Sequence, residues 1–205
     1  MKPFEYFQRF SLLALVAILT LVTACGDDDD APEPVNEPEV ITDVKLIFTN
    51  VDDANDVVEA SAQDPDGDGV EELMIMGPIN LGVNKTYTLT YEIFNNLEMP
   101  GEDIGEEIAE EDDEHQFFYS FTEGAFANPT GNGNVDTASD PINYVDFDRN
   151  MNPLGLETTW TTAATPTMNG QFTARLQHQP DEKTATSGAD VGESDFDLEF
   201  VLNIQ

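Results

Sequence analysis

The sequence predicts an all-β protein, an immunoglobulin-like antiparallel β-sandwich with one short acidic helix, preceded by a signal peptide and a disordered tether. Three observations carry this. Apolar and polar residues alternate with a period of two in stretch after stretch, and those stretches are rich in Val, Ile, Thr, Tyr and Phe. Clusters of Gly, Pro, Asn and Asp separate them, giving about nine short strands at sandwich spacing. Helical periodicity is confined to one segment, so the strand and helix alternation of a parallel α/β fold is missing. The expected organisation is a leader over 1–24, a tether over 25–39 and one β domain over 40–205. A domain of about 165 residues buries roughly 70% of its unfolded surface, enough for one core.

The leader has a basic start at Lys2 and Arg9, then the apolar run Leu12 to Ala24. That is the layout of a secretory signal, and it is too short for a membrane span. Val22-Thr23-Ala24-Cys25 resembles a bacterial lipobox. The resemblance implies cleavage before Cys25 and covalent lipid on that residue, and several acyl chains together anchor a protein stably to a bilayer. Asp27 to Asp30 follow at once and resemble the surface-export signal of Bacteroidetes lipoproteins, which implies an outer-membrane protein facing outward. Pro32, Pro34 and Pro38 among acidic residues leave little to bury, so the tether is expected to be extended, reaching roughly 40 Å.

In the domain, Val40, Thr42, Val44, Leu46 and Phe48 share one strand face, and Val57 to Ala62 form a second strand. Leu73 to Met76 is a short strand stopped by Gly77-Pro78, and Thr86 to Asn95 places Tyr87, Leu89, Tyr91 and Ile93 on one face. Asp103 can cap a short helix with Glu106 three residues on and with Ile104 and Ile108 four apart. Glu110 to Glu114 at its end oppose the helix dipole, which points to a very short helix or a nearby cation. Gln116 to Phe121 is a strand, Thr122 to Pro141 reads as a surface insertion, and Asn143 to Phe147 as another strand. Leu156 to Thr162 carries the single Trp160, Gly170 to Gln177 alternates, Gln179 to Gly192 is a polar loop, and Phe196 to Ile204 closes the chain with acids between its apolar residues.

The chain has 42 acidic and 7 basic side chains, a net charge of −35. Such a surface repels nucleic acid and anionic lipid, and suits divalent cations, basic ligands or a salty medium. Cys25 is the single cysteine, so a lipidated chain has no thiol for a disulfide, a metal site or a nucleophile.

From Val40 onward the chain resembles a family of Bacteroidetes surface lipoproteins of unproven activity. The resemblance rests on Glu39-Val40-Ile41-Thr42, Asp66-Gly67-Asp68-Gly69, Asp103-Ile104 through Asp113-Glu114-His115-Gln116, Asn152-Pro153-Leu154-Gly155-Leu156 and Leu176-Gln177-His178-Gln179-Pro180. Members often carry the label "type 1 periplasmic binding fold", a name that implies a two-lobed α/β receptor. The strand pattern and the length point instead to a single β domain.

Two kinds of site are legible. Asp64, Asp66 and Asp68 with Gly69 follow the opening of an EF-hand-like calcium loop, although Ile75 stands at the twelfth position. Asp146, Asp148 and Asn150 repeat the alternation, with Glu157 at the twelfth position and Met151 where Gly is wanted. Both can equally be polar turns with Asx hydrogen bonds. His115 and His178, the only histidines, begin or end expected strands and can meet at a sheet edge. With Glu111 and Glu114 they offer imidazole and carboxylate donors suited to zinc or copper. Asp181 stands near them in the sequence.

No Gly-x-Ser-x-Gly elbow, His-Glu-x-x-His helix or phosphate loop occurs, and an enzyme is not expected. The expectation is a lipoprotein that binds a metal ion or metal complex and hands it to an outer-membrane transporter. The alternative is an adhesion or accessory module with calcium-stiffened loops.

Overall fold

A computed structural model describes residues 39–64, 73–97 and 99–205. All of these fall in one compact unit, Glu37–Gln205. The leader, Cys25, the tether up to residue 38, Asp66 and Asp68 lie outside the described residues. Among the described residues no helix is long and apolar enough to cross a membrane.

The chain is nearly all β. Among the described residues the strands are β1 (Asp43–Asn50), β2 (Val57–Gln63), β3 (Met74–Ile75), β4 (Ile79–Leu81), β5 (Thr86–Asn95), β6 (Glu102–Asp103), β7 (His115–Phe121), β8 (Phe126–Asn128), β9 (Thr158–Thr162), β10 (Thr167–His178) and β11 (Glu193–Ile204), with one helix, α1 (Ile104–Glu110). One sheet runs β3-β2-β1-β5-β9-β8 with β6 added to β5, and the other runs β4-β11-β10-β7. All pairings are antiparallel except β4 on β11.

In immunoglobulin lettering, with ABED on one sheet and CFG on the other, β1, β5, β9 and β8 take the places of A, B, E and D. Strands β7, β10 and β11 take those of C, F and G. The seven also follow one another from A to G along the chain. Strands β2 and β3 extend the first sheet beyond A, and β4 extends the second beyond G. The α/β architecture implied by the family label is therefore not the fold of this domain.

The alternation predicted for β1 and β5 sets their register: Val44 faces Ile93, Leu46 faces Tyr91 and Phe48 faces Leu89. A one-residue slip would turn every one of these out to solvent. Aromatic rings join the sheets. Phe48 of β1 meets Phe172 of β10 edge-on at 5.8 Å, and Trp160 of β9 meets Tyr119 of β7 at 5.2 Å and Phe172 at 5.0 Å. The indole N–H of Trp160 donates to Thr158 Oγ1 at 2.8 Å, so the buried donor is satisfied.

Three expected features differ. Asn143 to Phe147 forms only isolated bridges, Tyr144 to Thr158 and Phe147 to Pro153, because the Asp146 carboxylate accepts from the Gly155 and Glu157 amides and holds the chain in a loop. The insertion after Thr122 is not loose: it contains β8 and then packs on the edge of β7. There Phe121 donates to the Asn132 carbonyl and Phe117 to the Leu154 carbonyl, which covers the free edge of that strand. Strands β4, β6 and β8 are two or three residues long, too short for alternation to show.

Candidate metal centre

Helix α1 forms as its sequence indicates. Asp103 is the N-cap, its carboxylate accepting from the Glu106 amide at 3.3 Å, and Ile104 and Ile108 are buried. The helix ends at Glu110 with Glu111 as its C-cap, and one turn later His115 opens β7. That turn is fixed by Glu111 N–H donating to the Glu107 carbonyl and Glu114 N–H to the Glu111 carbonyl, each at 2.9 Å. The acidic run meets cations from elsewhere in the chain. Arg149 lies 3.3 Å from Asp112 and 3.0 Å from Asp113, and Lys183 donates to the Asp112 carbonyl at 2.6 Å.

Strand β10 ends at His178, directly opposite His115 in the β7 pairing. The two imidazoles stack at 4.3 Å with their planes 4° apart. Gln179 N–H donates to the Glu114 carbonyl at 2.6 Å and prolongs the ladder past the histidines. The following polar loop winds around the Gln179 side chain, which donates to the Gly188 and Val191 carbonyls and accepts from Ser187. Of the residues sequence reasoning grouped together, Glu111, His115 and His178 each offer a donor atom, and all three atoms lie within 4.8 Å of one another. Glu114 Oε2 is 3.5 Å from His178 Nε2, and its side chain is 41% exposed. Asp181 is exposed and stands among none of these contacts.

Both histidines are buried, His115 at 0% and His178 at 4% exposure. His115 Nδ1 faces the Glu111 carbonyl at 3.3 Å, while His115 Nε2 and both nitrogens of His178 have no hydrogen-bond partner. Burial and the neighbouring His178 push the His115 pKa down to about 4, so its imidazole is neutral at neutral pH. A neutral imidazole is the form that ligates metals.

Sequence reasoning missed Asp195. The alternation of β11, with Asp197 and Glu199 outward and Phe196, Leu198 and Phe200 inward, places Asp195 on the outer face. The register instead steps from Leu176–Phe196 to Gln177–Ser194, leaving Asp195 as the extra residue of a β-bulge. The bulge re-aims its side chain inward, where Asp195 is 3% exposed with Oδ2 3.9 Å from His115 Nε2. Neither carboxylate oxygen has a hydrogen-bond partner of good geometry, and the Glu39 backbone is the nearest group that pulls on it as one. Burial pushes its carboxyl up to about 7, against the pull of His178. Glu39 stands close by, its carboxyl raised by burial and by Glu111, and Glu107 is pushed up to about 7 by burial and a hydrogen bond with Glu102.

The calcium-loop residues are placed differently. Asp64 closes β2, its backbone amide donating to the Thr42 carbonyl. In the second loop Asp148 accepts from the amides of Asn150 and Asn152 at 2.8 and 2.7 Å and from the Asn152 side chain at 3.0 Å, and it pairs with Lys183 at 3.3 Å. Its oxygens are thus spent on an Asx turn and an ammonium. Met151 takes the left-handed φ of 67° that a glycine was wanted for. Glu157 contributes its backbone amide to Asp146.

No protein-family model matches the chain, and neither does any curated protein or solved structure.

Proposed function

We propose that this protein is an outer-membrane lipoprotein, anchored through Cys25, that captures a metal ion outside the cell and passes it to an outer-membrane transporter. The observation that carries the reading is the buried pair His115 and His178, stacked at 4.3 Å with unpartnered nitrogens beside Glu111. Leaving buried polar atoms unsatisfied costs about 1–3 kcal/mol each, so a site built of them is explained by a ligand that satisfies them. Imidazole with carboxylate suits zinc and copper.

The lipobox-like Val22-Thr23-Ala24-Cys25 and the acidic run after it support the anchored, outward-facing half of the proposal. The second loop is read as a polar turn, since Lys183 and backbone amides already occupy Asp148. The adhesion alternative rests on calcium at both Asp loops, of which Asp66 and Asp68 of the first lie outside the described residues.

Calorimetric titration of the purified protein with zinc tests the capture half. Saturable heat is expected from the wild type and none from a His115→Ala/His178→Ala variant. Heat absent from both would end the reading. Mass spectrometry of the membrane fraction tests the anchor, with an acylated N-terminal Cys25 expected and a free thiol at that position refuting it.

A further inference from the structure

We propose that Asp195 is a fourth metal ligand, and that the site it completes with Glu111, His115 and His178 takes a bare divalent cation of the zinc type, not a metal chelate. This rests on the reading of the histidine pair given above and adds the ligand and the class of cargo.

The bulge in β11 is the first support. Without it Asp195 would share the solvent face with Asp197 and Glu199; with it the carboxylate is turned in, 3% exposed, towards a histidine. Buried carboxylates are ordinarily paired with a cation or bound to a metal. Asp195 has no such side chain to pair with, because each of the five lysines and arginines in the described residues is committed elsewhere. Lys45 pairs with Glu92, Lys85 with Asp56, Arg149 with Asp112 and Asp113, Arg175 with Asp197, and Lys183 with Asp148. The histidine it faces is ready on that side: His115 Nδ1 is turned to the Glu111 carbonyl, the second-sphere contact that fixes ligand histidines, which leaves Nε2 towards Asp195.

Charge agrees, and Asp195 adjoins the 4.8 Å group of Glu111, His115 and His178 through His115. Imidazole lone pairs lie in the ring plane, so the stacked rings must turn out of parallel to share one ion. Donors around a tetrahedral zinc stand about 3.3 Å apart for bonds of about 2.0–2.1 Å. The 3.9 Å between His115 Nε2 and Asp195 Oδ2 needs only a small contraction to reach that. Two neutral imidazoles and two carboxylates balance a double positive charge, so the loaded pocket buries no net charge.

Access decides between ion and chelate. The two histidines and Asp195 are at most 4% exposed, while the neighbouring acids Glu39, Glu111 and Glu114 reach solvent. A cation passing them sheds its water and any chelator. Glu114 then orients His178 from the solvent side and is not itself a ligand. Calcium and magnesium prefer sites made only of oxygen, and monovalent copper prefers sulfur, so zinc and its first-row neighbours fit best.

The test titrates the purified protein with zinc and, separately, follows the visible absorption of the cobalt(II) form. Asp195→Asn is expected to weaken zinc binding by about 100-fold and to lose the intense bands of four-coordinate cobalt. Glu114→Gln is expected to weaken it by no more than about 10-fold, the range of an outer-sphere partner. Metal-free Asp195→Asn should melt no lower than the wild type, since it exchanges a poorly satisfied buried carboxyl for a neutral amide of the same shape. Asp195→Ala gives a second reading should the amide disturb the fold. Unchanged zinc affinity and cobalt spectrum in folded Asp195 variants, with binding abolished by His115→Ala/His178→Ala, would overturn the assignment of Asp195 and leave the capture reading standing. A wild type that takes up no metal would overturn both. Citrate retained on the protein after loading with zinc citrate would overturn the bare-ion half.

Discussion

Gly192 has a φ of 73° and lies against the His178 carbonyl so closely that a β-carbon on it would overlap that oxygen. A glycine is needed there for both reasons, and the second touches the metal centre directly. Gly192→Ala is expected to lower stability by at least about 1–2 kcal/mol from the backbone conformation alone. By pushing on His178 it should also weaken zinc binding about 10-fold, the scale of a disturbed ligand orientation. Thermal melts and calorimetry on the same preparation check the two effects, and a loss of stability with unchanged zinc affinity would separate Gly192 from the site. Met151 presents the opposite case: it holds a φ of 67° while its side chain is 75% exposed. Met151→Gly therefore gives up little packing and relieves the strain, and should stabilise by up to about 1 kcal/mol in a denaturant titration.

The junction between α1 and β7 is where an element's end and the site's beginning are one structure. Acidic residues at a helix C-terminus oppose its dipole, and here Lys183 answers them. Its ammonium donates to the Asp112 carbonyl at 2.6 Å and pairs with Asp148, with both side chains sealed from solvent. Asp148→Asn would leave buried Lys183 with only the weaker pull of Asp112 and Asp113 and is expected to cost up to about 3 kcal/mol. Arg149→Ala, which removes an ion pair 61% exposed on the arginine side, should cost less than about 1 kcal/mol. The sign of the pH dependence follows. Burial pushes the Asp148 carboxyl up, but the amides of Asn152 and Asn150 and the charge of Lys183 outweigh it and hold the pKa below its ordinary value. Its contribution is complete above the unfolded value of about 3.9 and is lost as pH falls through the lower folded value. Urea titrations of wild type and Asp148→Asn should therefore keep a constant gap from neutral pH to about pH 4 and begin to converge only below it. The same region shows what was legible beforehand. Alternation at Val44, Leu46 and Phe48 and the Asp103 cap carry helix and strand placement, because burial imposes a period on sequence. The histidines could be joined because each sits at a strand end. Asp195 could not, because a bulge breaks the period and leaves no compositional mark. The packing of 131–157 on β7 was equally hidden, since it depends on backbone groups every residue shares.

At the scale of the molecule, a net charge of −35 means any cation can stabilise the fold by screening, so a zinc effect must be told apart from a salt effect. The described lysines and arginines are all in ion pairs, and the excess carboxylates repel one another across the surface. Raising the ionic strength from 0.01 M to 0.15 M shortens the screening length from about 30 Å to 8 Å, so Tm should climb with sodium chloride. That rise is a property of the whole surface and should be the same in the His115→Ala/His178→Ala variant. Zinc bound at the pocket acts by a different law. At 100 times its Kd it stabilises by about 2.7 kcal/mol, and for a domain of this size that is about 5–11 °C in Tm at about 2–4 °C per kcal/mol. This shift should appear at micromolar zinc in 0.15 M sodium chloride, where the added zinc changes the ionic strength negligibly, and should vanish in the double variant. Equal zinc shifts in both proteins would mean that the metal is held by the acidic surface at large, and the paired histidines would lose their role as the point of capture.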